Sequence, residues 1–327
     1  MSGAKKSILR EPGHFQRMFT YGTVNDNLSD PTRYMPNRPK VPPACPDAIC
    51  RIFDVDAWEW IEADTPKPSL EWPSSVIAGR HVFLFGGVAD FKKCPIARYD
   101  LDHHTWSYID IDLMVGGRSS GAVLLTPTTA LVCGGHRTVY ASADRVFTCV
   151  EVDLITYAVT PLPDMHEARA SHAVVNYNDT IVVIGGIYHR SMYACEQFSP
   201  LTKKWTRFPE LIFDPYGNTR HSAVVINDKI YTTSCNGISI DCSVFDGTAW
   251  SAIKSCGINA PSRPYPYTYA YIFVYRGRPA LISNFGAGIV VFDADTDTWY
   301  TPPECNEPGV PDPGRTYTLY DMIIHPY

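Results

Sequence analysis

The chain has 327 residues, 45% of them hydrophobic and 13% aromatic, with 28 basic against 34 acidic side chains and a formal net charge of −6. That apolar share suits a large β core, and an acidic chain is a poor general binder of nucleic acid, whose phosphates need clustered cations. No stretch approaches ~18 consecutive apolar residues, so no helical membrane span is expected, and Met1-Ser2-Gly3-Ala4-Lys5-Lys6 has no apolar signal core.

The charge is uneven. Residues 1–45 hold seven basic and three acidic side chains, a net +4, leaving 21 and 31, a net −10, in the remainder. The same segment carries Pro12, Pro31, Pro36, Pro39, Pro42 and Pro43 and lacks helical or strand periodicity over most of its length. It reads as an extended basic arm, either a leader or a docking element. Residues 46–327 read as one domain.

From there an apolar or aromatic residue, a turn usually rich in Asp, and in all but one copy a Trp recur in order. The copies are Phe53-Asp54…Trp60, Tyr99-Asp100…Trp106, Val152-Asp153…Val159, Phe198…Trp205, Phe245-Asp246…Trp250 and Phe292-Asp293…Trp299. Their closing positions lie 46, 53, 46, 45 and 49 residues apart. Such a period is the mark of one supersecondary unit copied around a ring or along a solenoid.

The fullest unit runs over residues 168–209. It opens with Arg169-Ala170-Ser171-His172 and the apolar run Ala173-Val174-Val175, turns at Asn178-Asp179, and continues as Thr180-Ile181-Val182-Val183-Ile184 before Gly185-Gly186. A loop, a third run to Phe198, a turn and Trp205-Thr206-Arg207-Phe208 complete it. Short β-branched runs bounded by Gly, Asn, Asp and Pro are strands, here four per unit. Gly86-Gly87 and Gly134-Gly135 mark the same place in the two preceding units, whereas Ser234-Cys235 and Asn284-Phe285 replace the pair later.

Paired glycines before a loop, the aromatic-Asp step and the spaced Trp together resemble the kelch repeat over residues 70–327. The Trp-Asp dipeptide of the WD-repeat rival is absent from the unit ends. The resemblance implies an all-β, six-bladed kelch-type β-propeller of four-stranded antiparallel blades. Cys50-Arg51-Ile52-Phe53 and Trp58-Glu59-Trp60-Ile61 read as the last two strands of one blade and 315–324 as its opening strand, so the ring would be closed by pairing N- and C-terminal strands in one blade. The missing strand is expected from residues 324–327 or from the stretch around Phe15 to Tyr21. Removing the last ten residues should then unfold the ring.

Ten cysteines fit neither a zinc site nor a disulfide framework, and Cys133, Cys149 and Cys195 fall inside predicted strands as small core residues. They read as reduced thiols of a cytoplasmic protein. Catalytic signals are weak. Gly117-Arg118-Ser119-Ser120-Gly121 matches the nucleophile elbow, but a strand follows it where the elbow needs a helix. Asp54/Asp56, Asp100/Asp102 and Asp293/Asp295 recur at one turn of three units, which is turn chemistry rather than a site. No phosphate loop, dinucleotide fingerprint or HExxH occurs. No enzyme, catalytic residue, metal or cofactor is expected.

The loops after the second strands and the segments before the first strands would share one face of the propeller. They gather Arg118, His136, Arg137, Tyr140 and Arg145, then Arg169, Tyr188, His189 and Arg190, and finally Arg220, His221, Arg263, Tyr265 and Arg315. Arginine offers planar bidentate bonds to carboxylates and tyrosine gives rigid contact area. The arrangement resembles the pocket of substrate-recognising kelch rings, which implies an acidic protein or peptide partner. For Arg118, Arg169 and Arg315, which recur at the start of the first strand, bonding to backbone across the blade junction is the competing role. Two other functions stay open: a subunit docking through residues 1–45 and the blade rims, and a kelch-type enzyme acting on a sugar or small metabolite at the channel mouth.

Overall fold

The computed structural model describes residues 17–24, 48–54, 59–63, 70, 72–87, 95–137, 145–187, 193–212, 220–235, 240–256, 270–283, 289–303 and 317–325, the first three and the last as backbone. Five sheets are meanders of four consecutive antiparallel strands. Blade one comprises β4 (Ser74–Ala78), β5 (His81–Phe85), β6 (Ile96–Asp100) and β7 (Thr105–Ile109). Blade two comprises β8 (Gly121–Thr126), β9 (Thr129–Cys133), β10 (Cys149–Asp153) and β11 (Val159–Leu162). Blade three comprises β12 (Ala173–Tyr177), β13 (Thr180–Ile184), β14 (Cys195–Ser199) and β15 (Lys204–Phe208). Blade four comprises β16 (Arg220–Ile226), β17 (Lys229–Cys235), β18 (Ile240–Phe245) and β19 (Trp250–Ile253). Blade five comprises β20 (Ala270–Tyr275), β21 (Arg278–Ser283), β22 (Ile289–Asp293) and β23 (Thr298–Tyr300).

The expectation of six kelch-type blades is corrected to five repeat blades. The strands left over, β1 (Arg17–Val24), β2 (Ala48–Asp54), β3 (Glu59–Ala63) and β24 (Tyr317–His325), form a composite sheet in the order β24-β1-β2-β3. It differs from a repeat unit because its strands are not consecutive: β1 from the N-terminal stretch pairs with β2 on one side and with β24 on the other. The N-terminal stretch therefore supplies a strand between β24 and β2, and β24 lies against both β4 and β20. β1 also falls within residues 1–45, so part of the expected arm is sheet; residues 1–16 and 25–45 lie outside the described residues.

The core is a set of apolar seams between successive blades. Phe83, Phe85 and Ile96 of blade one pack with Leu113, Val115, Val132 and Val152, and Leu131, Cys133 and Met165 pack with Ile181, Val183, Phe198 and Trp205. Equivalent clusters join blades three and four and blades four and five. Alternation along a strand directs every second side chain to such a seam.

The recurrent Trp has two jobs here. Its ring packs at a tilt against the aromatic of the third strand, with centroids 5.1 Å apart for Phe198 and Trp205, 5.3 Å for Phe245 and Trp250, and 5.2 Å for Phe292 and Trp299. Its Nε1–H donates to a carbonyl at the exit of the preceding blade: Trp205 to Pro163 (2.8 Å), Trp250 to Pro209 (2.9 Å) and Trp299 to Lys254 (2.8 Å). A large apolar body with one donor suits a seam that ends in backbone. The Asp turns are local, as expected. The Oδ1 of Asp100, Asp153 and Asp246 each accepts two backbone N–H groups two and three residues ahead, and Asp293 accepts that of Asp295. Those bonds hold the Asp246 carboxyl at about 2, the Ala249 N–H contributing most.

Candidate functional site at the channel mouth

The inner strands β4, β8, β12 and β16 each enter the propeller from one face, and the residues just before them line its mouth. Trp72, Ser119 and Ser171 occupy one equivalent position with φ of 55°, 52° and 55°, a left-handed kink that non-glycine residues adopt only when the surroundings demand it. The demand is a belt of backbone bonds from blade to blade. Ser119 N–H donates to Trp72 carbonyl (2.8 Å), Ser171 to Ser119 (2.9 Å) and His221 to Ser171 (3.1 Å).

Inside this belt lies a cavity of about 220 Å³ whose wall includes Ser74, Ser75, Ser119, Ser120, Ser171, Ser222, His172, His221 and Tyr271. Ser74 and Ser120 share a hydroxyl–hydroxyl hydrogen bond of 2.8 Å. Arg220 and Trp72 stand at the rim, and the guanidinium carbon of Arg220 lies 3.8 Å from the Trp72 ring centroid. That stacking joins blade four to the entrance of blade one and places a cation on the wall of a hydroxyl-rich cavity.

The glycine pairs make room for this wall. Gly134 has φ +65° and a Cβ there would meet Arg169 carbonyl oxygen at 2.5 Å and His172 Cε1 at 2.6 Å. Gly185, with φ +58°, holds the His221 ring in the same way, Nε2 lying 2.5 Å from where a Cβ would be. Each imidazole of one blade thus seats on the first glycine of the blade before it.

Beside the mouth, blade two carries a basic row. Isolated bridges pair Arg118 with His136 and His136 with Arg145, and directly opposed residues of an antiparallel pair project to one face. Arg118, His136 and Arg145 are half-exposed and Arg137 is exposed. Met114 and Phe147 expose apolar side chains nearby in the chain, and the Met114 carbonyl accepts from Thr148 Oγ1 (3.3 Å) and from Arg137 Nη2 (3.5 Å).

Arg169 requires correction as a ligand residue. It is fully buried, and its guanidinium donates to Gly185 carbonyl (2.7 Å), Ala194 carbonyl (2.8 Å) and Glu196 Oε1 (2.6 Å). Glu196, itself buried, also accepts from the backbone N–H of His166 (2.8 Å) and Glu167 (3.2 Å), and its Oε2 lies 2.7 Å from His166 Nδ1. Burial alone would raise the Glu196 carboxyl, but the charge of Arg169 and these donors outweigh it and hold it below its ordinary value. The pair fastens the segment between blades two and three. Nor is Arg169 the counterpart of Arg118. Ala170 bridges Ile187 as Arg118 bridges His136, and Gly135 N–H meets Arg169 carbonyl as Gly87 N–H meets Gly117 carbonyl. The two arginines differ by one residue in register, which sends one inward and leaves the other half-exposed.

Of the other residues expected on this face, Arg220 and the buried His221 come together at the cavity. Tyr140, Tyr188, His189, Arg190, Arg263, Tyr265 and Arg315 lie outside the described residues. Sequence reasoning passed over Trp72, His172 and the serines, although Ser74-Ser75, Ser119-Ser120, Ser171-His172 and His221-Ser222 recur at the unit starts. Among the described residues no three His, Cys, Asp or Glu side chains are grouped to hold a metal ion, and no helix is long and apolar enough to cross a membrane.

Residues 168–212, which include all of blade three, match the Kelch motif. Blade three thus carries a Kelch motif within a β-propeller. A solved structure described as the structure of YjhT superimposes with a TM-score of 0.60 at 14% identity, covering 77% of this chain and 90% of that one. At that identity the likeness speaks for the fold. No curated protein matches the sequence.

Proposed function

We propose that this propeller is a non-enzymatic interaction module that binds an acidic protein segment across the mouth face. The reading is supported by the basic row. On a chain of net charge −6, Arg118, His136 and Arg145 are aligned by consecutive bridges, with Arg137 beside them. The carbonyl of exposed Met114 accepts from Arg137, and an apolar side chain beside cations suits a peptide that alternates acidic and apolar side chains. The kelch propeller, commonly an interaction module, agrees with this use.

The experiment is fluorescence anisotropy of a labelled Asp/Glu-rich peptide and of its Gln counterpart against the full chain over a range of salt. The acidic peptide alone should bind, weakening as salt rises, and Arg137→Glu/Arg145→Glu should cost about tenfold or more in affinity. Equal binding of both peptides, or no effect of charge reversal, overturns the reading. A second use, a small polar molecule in the cavity, is favoured by the hydroxyl and imidazole wall under Arg220. It predicts ligand binding that survives charge reversal at Arg137 and Arg145 but fails in Arg220→Ala.

A further inference from the structure

Cys133 on β9 and Cys149 on β10 are direct partners across the ladder. The Gly134 N–H donates to the Thr148 carbonyl (3.0 Å), one residue after Cys133 on one strand and one before Cys149 on the other. That bond makes the cysteines a non-hydrogen-bonded pair, the site in an antiparallel ladder where opposed Cα atoms come to about 4.5 Å and side chains are nearest. A disulfide spans Cα separations of about 4.4 to 6.8 Å. No other described strand cysteine has such a partner: Cys195 faces Ile184 and Phe208, Cys235 faces Arg220 and Ile240, and Cys242 faces Thr233 and Ile253.

The surroundings distinguish the two sulfurs. Cys133 Sγ lies 3.5 Å from Nε2 of His172, whose ring is part of the cavity wall and whose buried Nδ1 has no hydrogen-bond partner. The neighbouring Cys149 thiol outweighs burial and, with His172 and the charge of Arg169, holds the Cys133 thiol below its ordinary value. Burial pushes the Cys149 thiol up. One cysteine is therefore disposed to be the thiolate and the other to keep its proton, the division of labour of an attacking and a resolving thiol.

We propose that Cys133 and Cys149 form a reversible dithiol–disulfide modification site, oxidised by a hydroperoxide and placed one imidazole behind the channel-mouth cavity. The Cys133 thiolate attacks a peroxide oxygen; the S–O bond forms, the O–O bond breaks, and the departing oxygen takes a proton and leaves as water or alcohol. Cys149 sulfur then attacks the sulfenic sulfur. The S–S bond forms, the S–O bond breaks, and hydroxide leaves as water with the Cys149 proton. The two sulfurs lose two electrons together and the peroxide gains them; an external thiol reverses the step through a mixed disulfide. Both cysteines are buried, so a small peroxide is the oxidant that fits. Oxidation would deprive His172 of its sulfur partner, tying the redox state of β9 and β10 to the cavity wall.

The test treats the full chain with hydrogen peroxide, blocks remaining thiols, digests without reduction and maps the peptides by mass spectrometry. A link between Cys133 and Cys149, lighter by two hydrogens and lost on adding dithiothreitol, is expected. In Cys149→Ser the sulfenic acid should persist and be captured at Cys133 by dimedone, and in Cys133→Ser both products should be lost. Absence of the link in the unsubstituted chain overturns the proposal without reliance on any variant folding. Dimedone capture at Cys149 of Cys133→Ser, with none at Cys133 of Cys149→Ser, overturns the assignment of roles.

Discussion

Blades two and three close their second strands with glycine pairs, whereas blade four puts Ser234-Cys235 at that place, and the mouth is built differently on the two sides. In blade three the β12–β13 ladder covers five residues per strand, and Gly185 and Gly186, with φ of +58° and +103°, turn the chain away beneath His221 and His172. In blade four β16 and β17 cover seven residues each, and Arg220 is still paired, with Cys235. Hydroxyls take over the junction there, Thr233 Oγ1 donating to Ala270 carbonyl of the next blade (3.3 Å). Where glycine stops the ladder, the chain turns out into the loop that carries Arg137. Where the ladder runs on, a cation is held in the strand and leans over the mouth onto Trp72. The glycine pair is thus a device for making a loop and seating an imidazole, and its loss exchanges a loop site for a strand site.

The largest effect that would sharpen this contrast comes from Arg169, which fastens the glycine side through Gly185 carbonyl and Glu196. Arg169→Met should cost about 3–5 kcal/mol, because it leaves a buried carboxylate without its charge partner. Denaturant unfolding would measure it. Arg137→Met, on the same face but exposed, should leave stability nearly unchanged. Next comes Gly134→Ala, expected to cost about 3 kcal/mol, since the new Cβ combines a positive φ with contact to the Arg169 backbone oxygen. Ser234→Ala, on the glycine-free side, should cost under about 1 kcal/mol in the same assay. Equal losses at the two positions would break the comparison.

A pH series isolates the Glu196 contribution. Its folded carboxyl lies below the ordinary value, so the stability it contributes is present above the unfolded pKa near ~4.3 and is lost as pH falls through the depressed folded value. The unfolding midpoint of the chain should therefore drop on acidification below about pH 4. Glu196→Gln, less stable at neutral pH, should show a smaller drop over that range. Identical slopes would show that the Arg169 pair does not govern this seam.

The repeat was readable because its marks do the same job wherever they recur: the Trp packs on an aromatic and donates across a seam, and the Asp closes a turn within a few residues. The basic row was only half readable. Which blade-edge arginines face a ligand depends on a one-residue register, and Arg118 and Arg169 look alike in sequence until the bridges of Arg118 and Ala170 are placed. Trp72 stood outside any motif because Arg220, its partner, belongs to a strand three blades on. The order of the composite sheet stayed open between two candidates for its missing strand, since β1 pairs with β24 across nearly the whole length of the chain.

The smallest effect concerns a turn on the glycine-free side. Asp246 Oδ1 accepts from the N–H groups of Thr248 and Ala249 and from Thr248 Oγ1 (2.7 Å). If the turn needs an acceptor rather than a charge, Asp246→Asn should keep the unfolding midpoint closer to that of the unsubstituted chain than Asp246→Ala does. The charge has its own signature. With the carboxyl held at about 2, its stabilising contribution should be complete above the unfolded value and be lost progressively as pH falls from there to the folded one. The difference between Asp246 and Asp246→Asn should therefore shrink between roughly pH 4 and pH 2, while that between Asn and Ala stays constant. A difference that ignored pH would assign the turn to backbone geometry alone, and blade four would then owe nothing to this carboxylate.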